Sequence, residues 1–177
     1  MSKVLRMKVK LVGIDQRTMQ PVVVITDLEE KSYIPIVVGP PEANAINIAM
    51  EGIQLPRPIT HDLMKSILDE LNARVERVVI SELRDETYYA RIHLKTPSGE
   101  RQIDARPSDA IALALRAKAP IYVSDEVAAR ALVPTEGRER AHSMPPAPAE
   151  SGSDPELEEF RRFLESVTPE DFRKHLR

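Results

Sequence analysis

Apolar and polar residues alternate loosely through "VLRMKVKLVGI" (Val4–Ile14), then close up into a short apolar run in "QPVVVITD" (Gln20–Asp27). A third branched stretch, "SYIPIVVG" (Ser32–Gly39), follows the polar "EEK". Segments of this length and β-branched content predict three strands, with Pro35 marking an edge position or a bulge in the third. The period then changes. "PPEANAINIAMEGI" (Pro40–Ile53) predicts a helix with Ala45, Ile48 and Ala49 on one side, Pro41 in the first turn and Gly52 near the end. "THDLMKSILDELN" (Thr60–Asn72) predicts a second, capped by Thr60, with an apolar stripe of Leu63, Ile67, Leu68 and Leu71.

The second half runs in similar order. "RVERVVISEL" (Arg74–Leu83) and "TYYARIHLKT" (Thr87–Thr96) predict a hairpin, and "ERQIDAR" (Glu100–Arg106) a further strand after a turn at Pro97–Gly99. A helix "PSDAIALALRAK" (Pro107–Lys118), a short strand "IYV" (Ile121–Val123) and a short helix "SDEVAARAL" (Ser124–Leu132) complete it. In both halves an acid followed by alanine lies just inside a helix that leaves a strand through proline, so that Glu42–Ala43 corresponds to Asp109–Ala110. The pattern predicts an α+β fold: a duplicated three-strand, two-helix unit forming a mixed sheet with packed helices, over residues 1–133.

Beyond it the composition shifts. Residues 134–153 are rich in Pro, Ser, Ala and charge, as a flexible linker is. Residues 154–177 return to helical spacing as a short C-terminal helical segment. In "DPELEEFRRFLESV" (Asp154–Val167) the residues Leu157, Phe160, Phe163, Leu164 and Val167 share a face, and "TPEDFRKHL" (Thr168–Leu176) restarts behind a threonine cap. Helices this short need something to dock on.

Charge and composition narrow the function. The net charge of −3 lies entirely in residues 141–177, and residues 1–140 balance at zero, so composition shows no basic face for a polyanion. With no Trp, three Phe and four Tyr, an aromatic platform for bases is not expected. The absence of cysteine excludes disulfides and thiolate metal sites and points to a reducing cytoplasm. No apolar run approaches the ~18–20 residues that span a bilayer, and the N-terminus lacks the core of a signal peptide.

Two polar clusters carry candidate chemistry. In "PRPITHDL" (Pro56–Leu63), Thr60 and Asp62 suit a helix start. The same stretch offers His61 and Asp62 as general acid and base, or as metal ligands, with Arg57 for a phosphate. Its His-Asp pair echoes a metal-dependent phosphohydrolase superfamily, but that chemistry needs earlier histidines. The others here, His93, His142 and His175, all come later. In "DARPSDA", Ser108 or Asp109 suits a cap, yet Asp104, Arg106, Ser108 and Asp109 crowd a strand-to-helix junction, where exposed polar groups converge. Together with Glu42, these carboxylates suggest an oxygen-ligand site for Mg²⁺ or Mn²⁺. There is no Gly-rich phosphate loop, G-x-S-x-G elbow or helical His pair.

The strings "YIPIVVGPPEANAI", "LPRPITHDLMKSILDEL", "YYARIHL" and "DARPSDAIALALRAKAPIYV", in that order, resemble the bifunctional nuclease family of bacteria and plants over roughly Lys8 to Val133. The segment "EEFRRFLESVTPEDF" resembles the helical ending of many bacterial members. The resemblance implies a compact, internally duplicated α+β fold, commonly dimeric, with activity on RNA and DNA. It brings no mechanism, so the candidates are this chain's own motif residues. His61, Asp62, Asp104 and Asp109 are the expected catalytic groups. Arg57, Arg106, Ser108 and Asn44 are expected to hold phosphate or substrate. Glu42, Glu51, Asp104 and Asp109 are the expected ligands of Mg²⁺ or Mn²⁺. In this expectation the metal activates water, Arg57 or Arg106 neutralises the phosphate and His61 protonates the leaving oxygen. The competing expectation is a non-catalytic regulatory or assembly module whose C-terminal segment binds a protein partner. A small-molecule binding domain is a third class.

Overall fold

Two three-stranded antiparallel meanders, each running into a helix, build the domain. The computed structural model describes residues 3–135. The first meander is β1 (Val4–Ile14), β2 (Pro21–Asp27) and β3 (Ser32–Val37), followed by α1 (Pro40–Met50) and α2 (Thr60–Glu70). The second is β4 (Arg74–Arg84), β5 (Thr87–Thr96) and β6 (Gly99–Ala105), followed by α3 (Pro107–Ala117), β7 (Ile121–Ser124), α4 (Asp125–Ala131) and β8 (Val133–Pro134). They join in one mixed sheet of order β6-β5-β4-β7-β1-β2-β3-β8, in which β7 pairs parallel with β4 and antiparallel with β1. The order strand, strand, strand, helix is thus duplicated as expected. The halves diverge afterwards, because β7 intervenes before the second helix of the second half.

Local chemistry explains the turns. The Asp15 carboxylate accepts the N–H of Arg17 at 2.8 Å and closes the β1–β2 turn, where Met19 takes a positive φ of 56°. Asp27 closes the next turn by accepting N–H bonds from Glu29 and Ser32. β8 pairs with β3 only at Ser32 and Tyr33, so Pro35 sits on a free edge where a missing N–H costs nothing. Just after β8, Thr135 donates its N–H to the Lys31 carbonyl at 2.8 Å. The rest of the expected linker, and both expected helices beyond Asp154, lie outside the described residues.

The core is aliphatic. Val23, Ile25, Ile34, Ile80, Ile111, Leu113 and Val123 are fully buried. Helix α3 packs against α1, α2, β4 and β5. That central position explains why "AIALA" is apolar all round, with Asp109 and Arg116 at its two ends. Helix α1 buries Ala43, Ala45 and Ile46, one step round from the expected Ala45, Ile48 and Ala49. The expected stripe of α2 is divided: Met64 and Leu68 pack on the core, whereas Leu63, Ile67 and Leu71 face outward. No described helix is long and apolar enough to cross a membrane.

Candidate functional site

Charges at the starts of α1, α2 and α3 meet in one chain of hydrogen bonds, and a second pair ties the start of α2 to the last turn of α3. Each helix starts on a residue with extended backbone and no side-chain cap: Gly39, Ile59 and Arg106. Thr60 is therefore the first helical residue of α2 instead of its cap. Asp62 satisfies the start of α2 by accepting the Ile59 N–H at 3.0 Å. Ser108 and Asp109 likewise lie inside α3 behind Pro107, and Asp109 turns its carboxylate to other helices. A Cβ at Gly39 would meet the Glu42 carboxylate, so a larger residue there would require that side chain to move.

From α2, the His61 imidazole meets Asp109 with its Nε2 2.9 Å from Oδ1. The other Asp109 oxygen accepts the Arg106 Nε–H at 2.7 Å, and the Arg106 Nη2 donates to Glu42 Oε1 at 3.0 Å. The paired acids of the two repeats, Glu42 and Asp109, are thus bridged by one guanidinium. Beside this chain, Asp62 accepts the Arg116 Nε–H at 2.5 Å, and Arg116 also donates to the carbonyls of Ala45 and Ala112. Arg116, absent from the sequence-based candidates, ties α1, α2 and α3 together. Its signal was a lone cation in the otherwise apolar "AIALALRA".

Electrostatics fix the protonation. Burial would raise the pKa of Asp109, but the hydrogen bonds from Arg106 and His61 and their charges outweigh it and hold the carboxyl below its usual range. Asp62 behaves alike: burial opposes, while Arg116 and the Ile59 N–H prevail. With Asp109 ionised, His61 carries a proton on Nε2, which leaves Nδ1 as the other ring position. Nδ1 is buried without a hydrogen-bond partner, and so is Arg116 Nη2. Only 5% of His61 is exposed, whereas the Arg106 side chain is 66% exposed. The network therefore shows solvent an arginine and keeps its histidine behind.

The remaining candidates are dispersed. Asn44 is exposed on α1 and Arg57 is exposed in the loop before α2, both outside the network; Ser108 is buried in the first turn of α3. Glu51 caps the far end of α1, nine residues and about 14 Å along the axis from Glu42, and accepts the Asn47 Nδ2 at 3.2 Å. Asp104 is exposed on β6, opposite Arg91. The four carboxylates nominated for a metal are thus not brought together. Among the described residues no three His, Asp or Glu side chains are grouped to hold a metal ion. Glu42 and Asp109 do converge, but Arg106 already supplies the positive charge between them. As arranged, this donor set does not fit a divalent cation.

Residues 23–136 match the sequence model of the bifunctional nuclease domain. An uncharacterized protein of Mycobacterium tuberculosis is 36% identical over 170 residues, covering 94% of this chain and 98% of that protein. Bifunctional nuclease 1 of Oryza sativa subsp. japonica is 30% identical over 110 residues, 59% of this chain and 33% of the plant protein. Bifunctional nuclease 2 of Arabidopsis thaliana is 31% identical over 98 residues, 54% of this chain and 30% of that protein.

Proposed function

Because this chain belongs to the bifunctional nuclease domain family, we propose that it is a nuclease that hydrolyses phosphodiester bonds of RNA, DNA or both. The observation that carries the reading is the Glu42–Arg106–Asp109–His61 network at the junction of the two repeats. Arg106 is held by two carboxylates yet mostly exposed, which suits a guanidinium that neutralises a phosphate. His61, oriented by Asp109, is the proton-transfer group behind it. For the buried Nδ1 to reach a substrate, the residues that cover it have to move. Mg²⁺ or Mn²⁺ would have to displace Arg106 from Glu42 and Asp109, so metal dependence is a separate proposal. The test is cleavage of single-stranded RNA and DNA by purified protein with Mg²⁺, with Mn²⁺ and with EDTA. Loss in EDTA supports a metal, and no cutting in any arm refutes the nuclease.

The burial of His61 and the complete pairing of the carboxylates favour a second reading. In it the network is a clamp for three helices, and the protein is a regulatory or assembly module. The exposed stripe of Leu63, Ile67 and Leu71 would then be a contact face for a homodimer, and residues 141–177 would bind a protein partner. Ile67→Asp should shift a dimer to monomer in light scattering. Deletion of 141–177 should abolish partner capture under this reading and spare cleavage under the first. A cytoplasmic location accompanies both proposals.

A further inference from the structure

The second meander has two unlike faces. Ala90, Ile92 and Leu94 of β5 point into the core, whereas the alternate residues Arg91, His93 and Lys95 point to the opposite face. The sheet register sets them in transverse rows. Arg74 pairs with Lys95, Arg77 with His93, and Val79 with Arg91. The last row continues through Tyr122 of β7 to Arg6 of β1. The Arg77 Nη2 lies 3.2 Å from His93 Nδ1.

Arg6, Arg74, Arg77, Arg91 and Lys95 are all exposed, and none of them forms an ion pair with a carboxylate among the described residues. By contrast, Lys8 and Lys10 on the same strand as Arg6 are both engaged by Glu30. On β6, Glu100 stands directly opposite Lys95 and Asp104 directly opposite Arg91, so the rim of this face carries two acids. Five exposed cations without an ion pair thus share one face of the sheet, where they outnumber the acids Glu82, Glu100 and Asp104 of the same rows. Two aromatic rings are interleaved with them. Tyr122 is half-buried between Arg6 and Val79, and Tyr89 lies under Arg84, whose Cζ is 5.2 Å from the ring centroid.

We propose that this face binds single-stranded nucleic acid, with the backbone phosphates along the Arg/Lys rows and bases against the tyrosines. Side chains at alternate residues repeat about every 6.7 Å along a strand, which gives a linear cationic track suited to a polyanionic chain. Flat aromatic rings within such a track accept unpaired bases, which a duplex does not present. The track also leads to the candidate site. Arg91 stands opposite Asp104 on β6, and β6 turns into α3 through Arg106 two residues later. A strand laid from Lys95 towards Arg91 thus arrives at the sheet edge where Arg106 is exposed.

The ligand class rests on the nuclease reading; the surface itself rests on register and charge. The test is fluorescence anisotropy with short fluorescein-labelled RNA and DNA oligonucleotides in EDTA, across a salt series. It compares the full chain, the double variant Arg91→Gln/Lys95→Gln, and the double variant Lys31→Gln/Lys65→Gln as a charge-matched control on other elements. Wild type and the control should bind single strands with the same salt slope. The double variant should bind more weakly, its log–log slope smaller by about 1.4, or 0.7 per lost phosphate contact. Equal binding by the double variant, preference for duplex, or no binding by wild type overturns the proposal. Cleavage is scored separately. Binding as expected without cutting upholds the surface and refutes the nuclease, whereas cutting with binding unaltered in the double variant refutes the surface alone.

Discussion

His61 and Asp109 are 48 residues apart in the chain, yet the imidazole Nε2 and the carboxylate Oδ1 are 2.9 Å apart where α2 and α3 begin. One residue comes from "THDL" and the other from "RPSDA", so the contact joins the two motifs, one from each repeat. Asp109 also holds Arg106, and the pair therefore connects a buried ring to an exposed guanidinium.

This contact separates stability from chemistry. His61→Leu leaves Asp109 with one donor fewer in a partly buried place and should destabilise the fold by about 1–3 kcal/mol. His61→Gln keeps an N–H for Asp109 but cannot shuttle a proton through a ring. It should melt closer to wild type than the leucine variant, as read by thermal denaturation.

The pH dependence has a definite sign. Asp109 and Asp62 are both held below their usual range, against the opposing effect of burial, by their guanidinium and N–H partners. A lowered folded pKa contributes stability that is fully present above the unfolded value, about 3.9. It is lost as pH falls through the folded value. Asp109→Asn should thus melt below wild type at neutral pH, and the gap should close below about pH 4. A gap that stays constant into acid would contradict the ion-pair assignment.

Arg116 is predicted to matter most for the fold. Its side chain is almost fully buried and holds Asp62 and the Ala45 carbonyl. Arg116→Met should cost about 2–4 kcal/mol, because Asp62 and Ala45 lose their partner. Arg116→Lys keeps the charge but not the fork and should recover only part of it. Chemical denaturation of both variants gives the ranking.

Arg106 should behave in the opposite way. Exposed ion pairs contribute at most about 1 kcal/mol, so Arg106→Gln should leave the melting temperature nearly unchanged. If its guanidinium meets the phosphate, cleavage should fall about 10²-fold or more, with partial recovery in Arg106→Lys. A stability loss as large as that of Arg116→Met would place Arg106 in the clamp alone.

The strands and helices were legible because periodicity and turn residues are local signals. Asp15, Asp27 and the prolines that open α1 and α3 all act within a few residues of themselves. The equivalence of Glu42 and Asp109 was legible for the same reason, as a repeated junction. What they do together was not, because the bridge through Arg106 spans 64 residues. The spread of Asp104 and Glu51 away from the network follows from strand alternation and helix length, which act only once the elements are placed. Leu63, Ile67 and Leu71 read as core by spacing, yet α2 turns Met64 and Leu68 to the core and leaves those three exposed. The grouping of Arg6, Arg74, Arg77, Arg91 and Lys95 escaped a count of charges because composition does not say which residues share a face.

The most direct measurement is the single-turnover cleavage rate of single-stranded RNA and DNA by wild type, His61→Gln and Arg106→Gln, each purified identically and shown to be folded. Wild type should cut, and His61→Gln should lose about 10²–10⁴-fold, the range for removing a general acid or base. Equal rates in folded His61→Gln and wild type would contradict it and leave the His61–Asp109 pair as a clamp between helices.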